Sequence, residues 1–186
     1  MGNFHGHNRN LPYFYSMKKL ALLISMFMIG SAVFAQGKKN RDVVDTIPAP
    51  YLQSPTVPPF KVLLTDSTWF TKDNLPKKKI IVVMYFSPDC SHCQLQTKEI
   101  LDSMQYFKDA FFVMAAYKKM PEIKEFSDKY KLDDFKNIKV GRDTSYFLPS
   151  FYRVKFTPFI AVYDRGGKLL KTFAQGAKIE ELKALM

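Results

Sequence analysis

At 186 residues the chain has room for one ordinary domain with extensions, and its 47% hydrophobic content, with 17 Phe and 10 Tyr, is ample for a packed core. That content excludes a disordered polar chain. Basic residues number 28 against 17 acidic, a net charge of +11, which in principle suits nucleic acid, an anionic membrane surface or an acidic protein. The lysines are scattered (Lys77–Lys79, Lys118, Lys119, Lys136, Lys139, Lys155, Lys168, Lys171), mostly at the ends of predicted elements, without a nucleic-acid-binding motif or aromatic platform. They read as a solvated surface, and no nucleic-acid partner is expected.

The first segment reads as a targeting signal. Met17-Lys18-Lys19 precedes the apolar run LALLISMFMIGSAVFA, which falls short of the ~20 residues that span a bilayer. It ends in Val33-Phe34-Ala35 before Gln36, a small-residue pattern that suits cleavage. The competing reading is an uncleaved anchor. No cysteine lies near the cleavage point, so no lipid anchor is expected. Residues 1–16 do not look like a signal, which makes Met17 a candidate start. Losing Arg9, Lys18 and Lys19 with the leader leaves 25 basic against 17 acidic residues, a net +8. The expectation is an exported protein, periplasmic or secreted, with a leader over 1–35, a proline-rich arm over 36–59 and a domain over 60–186.

Gln36 to Pro59, punctuated by Pro48, Pro50, Pro55, Pro58 and Pro59, predicts an extended arm. Phe60 to Leu64 predicts a short strand and Asp66 to Pro76 a loop holding Trp69. Lys79 to Phe86 is apolar on both faces, as in a central strand covered on both sides. Ser91 to Lys108 has helical spacing, with Cys93, Thr97, Ile100, Leu101, Met104 and Phe107 on one stripe. Ala110 to Ala116 is a second apolar strand. Pro121 opens a helix that buries Ile123, Phe126 and Tyr130. Ile138 and Val140 mark a strand ending at Gly141, and Asp143 to Tyr152 reads as a short helix that Pro149 must end or kink. Phe159 to Tyr163 and Lys168 to Phe173 form a hairpin about Asp164-Arg165-Gly166-Gly167. Ala177 to Leu185 closes the chain as a helix with Ile179, Leu182 and Leu185 inward. The order predicts an α/β domain with a mixed sheet, parallel in its first half and antiparallel at its end.

The chain's two cysteines, Cys90 and Cys93, lie in Cys-Ser-His-Cys at the start of the predicted helix. A thiol attacks a disulfide only as thiolate, and the free N–H groups and dipole at a helix N-terminus favour that anion. Cys90 is thus the expected attacking sulfur. Cys93, one turn along on the inward stripe, is placed to resolve the mixed disulfide, and a protonated His92 would further stabilise the Cys90 thiolate. Three alternatives compete. A structural disulfide closing so short a loop would remove only about 2 kcal/mol of unfolded-state entropy. A zinc site lacks its second half, since His92 is the one histidine left after cleavage. Free buried thiols do not suit an oxidising compartment. A cysteine–histidine hydrolase fails because His92 is too close in sequence to act as a separately oriented base. A peroxiredoxin-like site finds Ser87 three residues before Cys90, but Val83 where a proline is needed.

A second stretch adds to this reading. Tyr152-Arg153-Val154-Lys155-Phe156-Thr157-Pro158, continuing to Asp164 and Gly166-Gly167, resembles the Y-x-V-x-x-x-P-x-x-x-x-x-D-x-x-G segment of thioredoxin-like proteins. From Phe60 to Met186 the chain is similar to exported thioredoxin-like thiol–disulfide oxidoreductases of the TlpA/ResA kind. The resemblance implies a thioredoxin-like fold and a cis Thr157–Pro158 bond facing Cys90 and Cys93. It also implies backbone pairing there with an extended substrate peptide. It implies catalysis by Cys90 and Cys93 tuned by His92, with no metal and no organic cofactor beyond the redox-active disulfide. The partners it implies are disulfide-containing proteins and a membrane-bound electron-transfer protein, with reduction or isomerisation as the reaction. Two departures stand out. Met84 occupies the place of thioredoxin's buried aspartate, and Ser91-His92 replaces Gly-Pro; a histidine there resembles the oxidising, DsbA-like family. The alternatives are therefore a DsbA-like oxidant and a binding module with a vestigial dithiol.

Overall fold

In the computed structural model, residues 47–186 are described; the leader and its cleavage point lie outside them. The elements run α1 (Pro50–Gln53), β1 (Lys61–Leu64), β2 (Trp69–Thr71), β3 (Ile80–Tyr85), α2 (Ser91–Asp102), β4 (Ala110–Ala116), α3 (Met120–Tyr130), β5 (Ile138–Arg142), α4 (Phe147–Tyr152), β6 (Phe159–Tyr163), β7 (Leu169–Phe173) and α5 (Ile179–Lys183). The strands make one sheet in the order β2-β1-β5-β4-β3-β6-β7.

The apolar runs of β3 and β4 place these strands near the middle of the sheet, with every residue of both buried. Because side chains alternate along a strand, β3 feeds two cores. Ile80, Val82, Met84 and Phe86 pack with Cys93, Ile100, Ile123, Phe126 and Leu182 on one face. Ile81, Val83 and Tyr85 pack with Leu148, Tyr152, Phe159 and Tyr163 on the other. Each fully buried aliphatic side chain there contributes roughly 1.5–3 kcal/mol. Phe107, with Met104 beside it, completes the first core, whereas Tyr130, Ile179 and Leu185 are only partly buried against it.

The structure corrects several sequence expectations. Among the described strands, the parallel ladders are β3–β4 and β4–β5 alone. β1 runs antiparallel to β5 on one side and forms a hairpin with β2 on the other, at the margin of the sheet. That hairpin falls partly in the stretch read as a loop. Its turn is built by Asp66, whose Oδ1 accepts from the Thr68 N–H at 2.9 Å, and by Ser67 at φ 67°. Helix α2 stops at Asp102 rather than Lys108, since Ser103 leaves helical geometry and Met104–Tyr106 form a separate 3-10 turn. Pro149 neither ends nor kinks α4. It is the third residue of the helix, where no intrahelical N–H is needed. The carboxylate of buried Asp143 instead takes the N–H groups of Phe147 at 3.1 Å and Leu148 at 2.8 Å.

The described part of the segment read as an extended arm contains α1, and Tyr51 lies 5.8 Å from the ring of Tyr152. Val57 is buried, its N–H donates to Gly167 O at 3.0 Å, and Leu169 N donates to Pro55 O at 2.8 Å. Among the described residues no helix is long and apolar enough to cross a membrane.

Candidate active site

The site begins where β3 ends. Phe86 keeps the chain in the sheet through its N–H to Ala115 O at 3.0 Å, and its ring lies 4.7 Å from that of Phe126. Pro88 then turns the backbone, held by a bond from Gln94 Nε2 to Pro88 O at 2.9 Å. The turn delivers Cys90 to the N-cap of α2 in extended geometry, where its Sγ accepts from the Cys93 N–H at 3.3 Å. A sulfur thus stands where helices usually place a Ser or Asp oxygen.

Both cysteines are free thiols with different surroundings: Cys90 is half-buried and Cys93 fully buried. Burial pushes the Cys93 thiol up to about 12, and its bond to Cys90 adds to the rise. At Cys90 burial also acts upward, but bonds from the Cys93 side chain and N–H, from Thr157 and from the His92 N–H outweigh it and hold the thiol below its usual value. Of the two sulfurs, the outer one therefore loses its proton first.

Thr157–Pro158 joins this pair across 67 residues of sequence. Its peptide bond is cis, and the Cys90 thiol approaches Thr157 O at 3.4 Å. His92 is exposed. It reaches Cys90 through its backbone N–H, and its side chain lines a groove of about 260 Å³ with Leu95, Gln96, Pro158 and Gly176. Met84 is buried on the face that carries Cys93, so that core has a thioether where a carboxylate would serve as a proton acceptor.

Three residues of the site were not singled out from the sequence. Asp89 is bound by Ser87 and by Lys118 Nζ at 2.9 Å; the Lys118 and Ser87 bonds bring its carboxyl down to about 2. Gln96 is 4% exposed; its Oε1 accepts from Ala177 N at 2.7 Å, while its Nε2 has no partner. Gly176, at φ +83°, sits between Gln96 and Pro158, where a Cβ would lie 2.9 Å from Gln96 Oε1 and 3.3 Å from Pro158 Cγ. The helical stripe that buries Cys93 also runs through Gln96, which its polarity removed from the core pattern. No sequence pattern joins Asp89 to Lys118 or Gln96 to Ala177; the sheet brings them together.

Among the described residues, no group of three or more His, Cys, Asp or Glu is placed to hold a metal ion. No curated protein matches the chain. Its fold is similar to that of a secreted Mycobacterium tuberculosis disulfide oxidoreductase homologous to E. coli DsbE, at 19% identity and TM-score 0.57, over 67% of this chain and 92% of that one. MTB dsbF, solved in mixed oxidised and reduced forms, is 22% identical with TM-score 0.59, over 75% and 96%. StoA from Bacillus subtilis is 16% identical with TM-score 0.55, over 70% and 98%. The thioredoxin-like domain profile matches residues 71–186, from the end of the β1–β2 hairpin through the dithiol helix to the last residue. With that match running over more than half of its length, the chain belongs to the thioredoxin-like domain family.

Proposed function

We propose that this chain is an exported thiol–disulfide oxidoreductase acting on protein disulfides, as a reductase or isomerase. The observation that carries the proposal is the asymmetry of the pair: a half-buried Cys90 capping α2, its Sγ 3.3 Å from the Cys93 N–H, beside a fully buried Cys93. The Cys90 thiolate attacks one sulfur of a substrate disulfide, forming a mixed disulfide and releasing the other sulfur as thiolate. Cys93 then gives up its proton to the released substrate thiolate or to water and attacks Cys90 Sγ. A Cys90–Cys93 disulfide forms, the second substrate thiolate leaves, and two electrons have passed to the substrate. A partner protein, membrane-bound in this reading, must return those two electrons. Thr157 O, 3.4 Å from Cys90, lies where an extended peptide could pair with the backbone before Pro158. No metal or organic cofactor enters the scheme.

The test has two parts. Cys93→Ser should accumulate mixed disulfides through Cys90 in the exported compartment, and their isolation names the substrates. Wild-type Cys90 should alkylate with iodoacetamide at mildly acidic pH, where an ordinary thiol of pKa near ~8.5 hardly reacts. An unreactive Cys90 with no adduct would leave a binding module with a vestigial dithiol. A reduction potential near ~−270 mV supports the reductase, whereas one near ~−120 mV assigns a DsbA-like oxidant.

A further inference from the structure

The end of the sheet where β3 begins and the β6–β7 hairpin turns lies opposite the dithiol. A pocket of about 330 Å³ there is lined by Lys72, Lys77, Lys78, Lys79 and Arg165, with Asp164 as its one acid. Just outside it, Asp109 is shared by Lys79 at 3.0 Å and Arg165 at 3.4 Å. Among the described residues, Lys72, Lys77 and Lys78 have no carboxylate partner. The sequence divides these cations between the β2–β3 connection and the β6–β7 turn, and the fold gathers them.

The backbone around the cluster narrows what it can hold. Lys78 stands at φ 60°, a left-handed conformation that disfavours a lysine and that glycine or asparagine would adopt more readily. Three N–H groups of the hairpin are already committed: Gly166 and Lys168 donate to Asp164 Oδ1, and Gly167 donates to Asp164 O. The hairpin side of the pocket thus offers no nest of successive free N–H groups to enclose one small anion. What remains are exposed ammonium and guanidinium groups around an open concavity, suited to a surface that carries many anions. No aromatic side chain lines the pocket to stack a base. Thr56 and Val57, in the segment that leads into β1, complete the rim.

We propose that this basic end is a docking surface for the anionic phospholipid headgroups of a membrane. It would seat the domain with Cys90 directed away from the lipid, about 20 Å distant along the length of β3. The proposal does not depend on the chemistry of the dithiol.

The test is cosedimentation of the full-length chain with vesicles of phosphatidylcholine alone and of phosphatidylcholine with phosphatidylglycerol. The ratio of the two partition coefficients is the readout, because the apolar leader contributes to both and cancels. Five cations against Asp164 and Asp109 leave three net charges, so the expected preference for anionic vesicles at low salt is about a hundredfold, at about fivefold per charge. It should fall as salt is raised. Lys72→Gln with Lys77→Gln should lower the ratio about 25-fold. Lys124→Gln with Lys155→Gln removes the same charge elsewhere and should change it less than about twofold. All four lysines are exposed, so neither pair disturbs the core. Equal losses from the two pairs, or no anionic preference in the wild type, would overturn the proposal. So would complete displacement by millimolar inorganic phosphate at constant ionic strength, which would make this a small-anion pocket. Loss of duplex-oligonucleotide binding in the Lys72/Lys77 variant, with vesicle binding unchanged, would overturn it as well.

Discussion

Gly176→Ala tests how the dithiol helix is tied to the loop behind Pro158. The backbone there is at φ +83°, where a non-glycine residue costs roughly 1–2 kcal/mol. The new Cβ would stand 2.9 Å from Gln96 Oε1, so the amide must move and its 2.7 Å bond from Ala177 N is lost. A buried donor left unpaired costs about 1–3 kcal/mol. Restriction of the unfolded chain by alanine returns about 0.4–1 kcal/mol. The expected net loss is about 2–4 kcal/mol, a drop of roughly 10 °C in melting temperature for a domain of this size. Urea unfolding of the reduced protein measures it. In a Gln96→Ala background the clash has no partner, so Gly176→Ala should cost little beyond its backbone strain, giving a coupling of about 1–2 kcal/mol. Additive single effects, or a loss below about 1 kcal/mol for Gly176→Ala, would refute the assigned contact.

Three further outcomes follow from named contacts. Tyr152 and Tyr163 hydrogen-bond to each other through buried hydroxyls, so Tyr163→Phe alone should cost about 1–3 kcal/mol while the double Phe variant recovers most of it, read by chemical denaturation. The Cys93 thiol is raised in the folded state, so unfolded protein ionises first as pH rises. Reduced protein should therefore lose stability from about pH 9 upward toward about 12, and Cys93→Ala should flatten that limb in melting curves. Asp89 is lowered to about 2 by Lys118 and Ser87, so its contribution is present above the ordinary carboxylate range and lost as pH falls through about 2. Its carboxylate is exposed and the contribution small; Lys118→Met should shift the midpoint of the acid limb upward in a pH titration of melting temperature.

The sequence carried the parts of the fold that rest on local pattern. Continuous apolar runs identify β3 and β4 because both faces of those strands are covered. The dithiol is legible because Cys90 caps α2 and Cys93 lies on its buried stripe. The Asp164–Gly167 turn is legible because Asp164 binds the N–H groups after it, and Gly167 supplies φ +81°. What escaped depends on partners remote in sequence. β2 is three residues long with Trp69 exposed, so it shows no alternation until β1 lies beside it. Pro149 looks like a breaker until Asp143 is seen to take the helix's free N–H groups. Gln96 reads as a surface residue until Ala177, 81 positions away, covers it.

The outer position of β7 has a consequence for how the folded protein meets its own copies. An outermost strand offers its unpaired N–H and C=O groups as a template for another chain. Here the beginning of that template is already taken, because Thr56 bridges Lys168 and Pro55 and Val57 bond to Leu169 and Gly167. Prolines at 55, 58 and 59 have no N–H to offer onward, so the covering segment cannot itself recruit a further strand. Farther along, Lys171 sets a charge on the remaining length. The short stretch before β1 thus acts as a stop signal for strand addition, and shortening the chain past Val57 would open a seam for self-association.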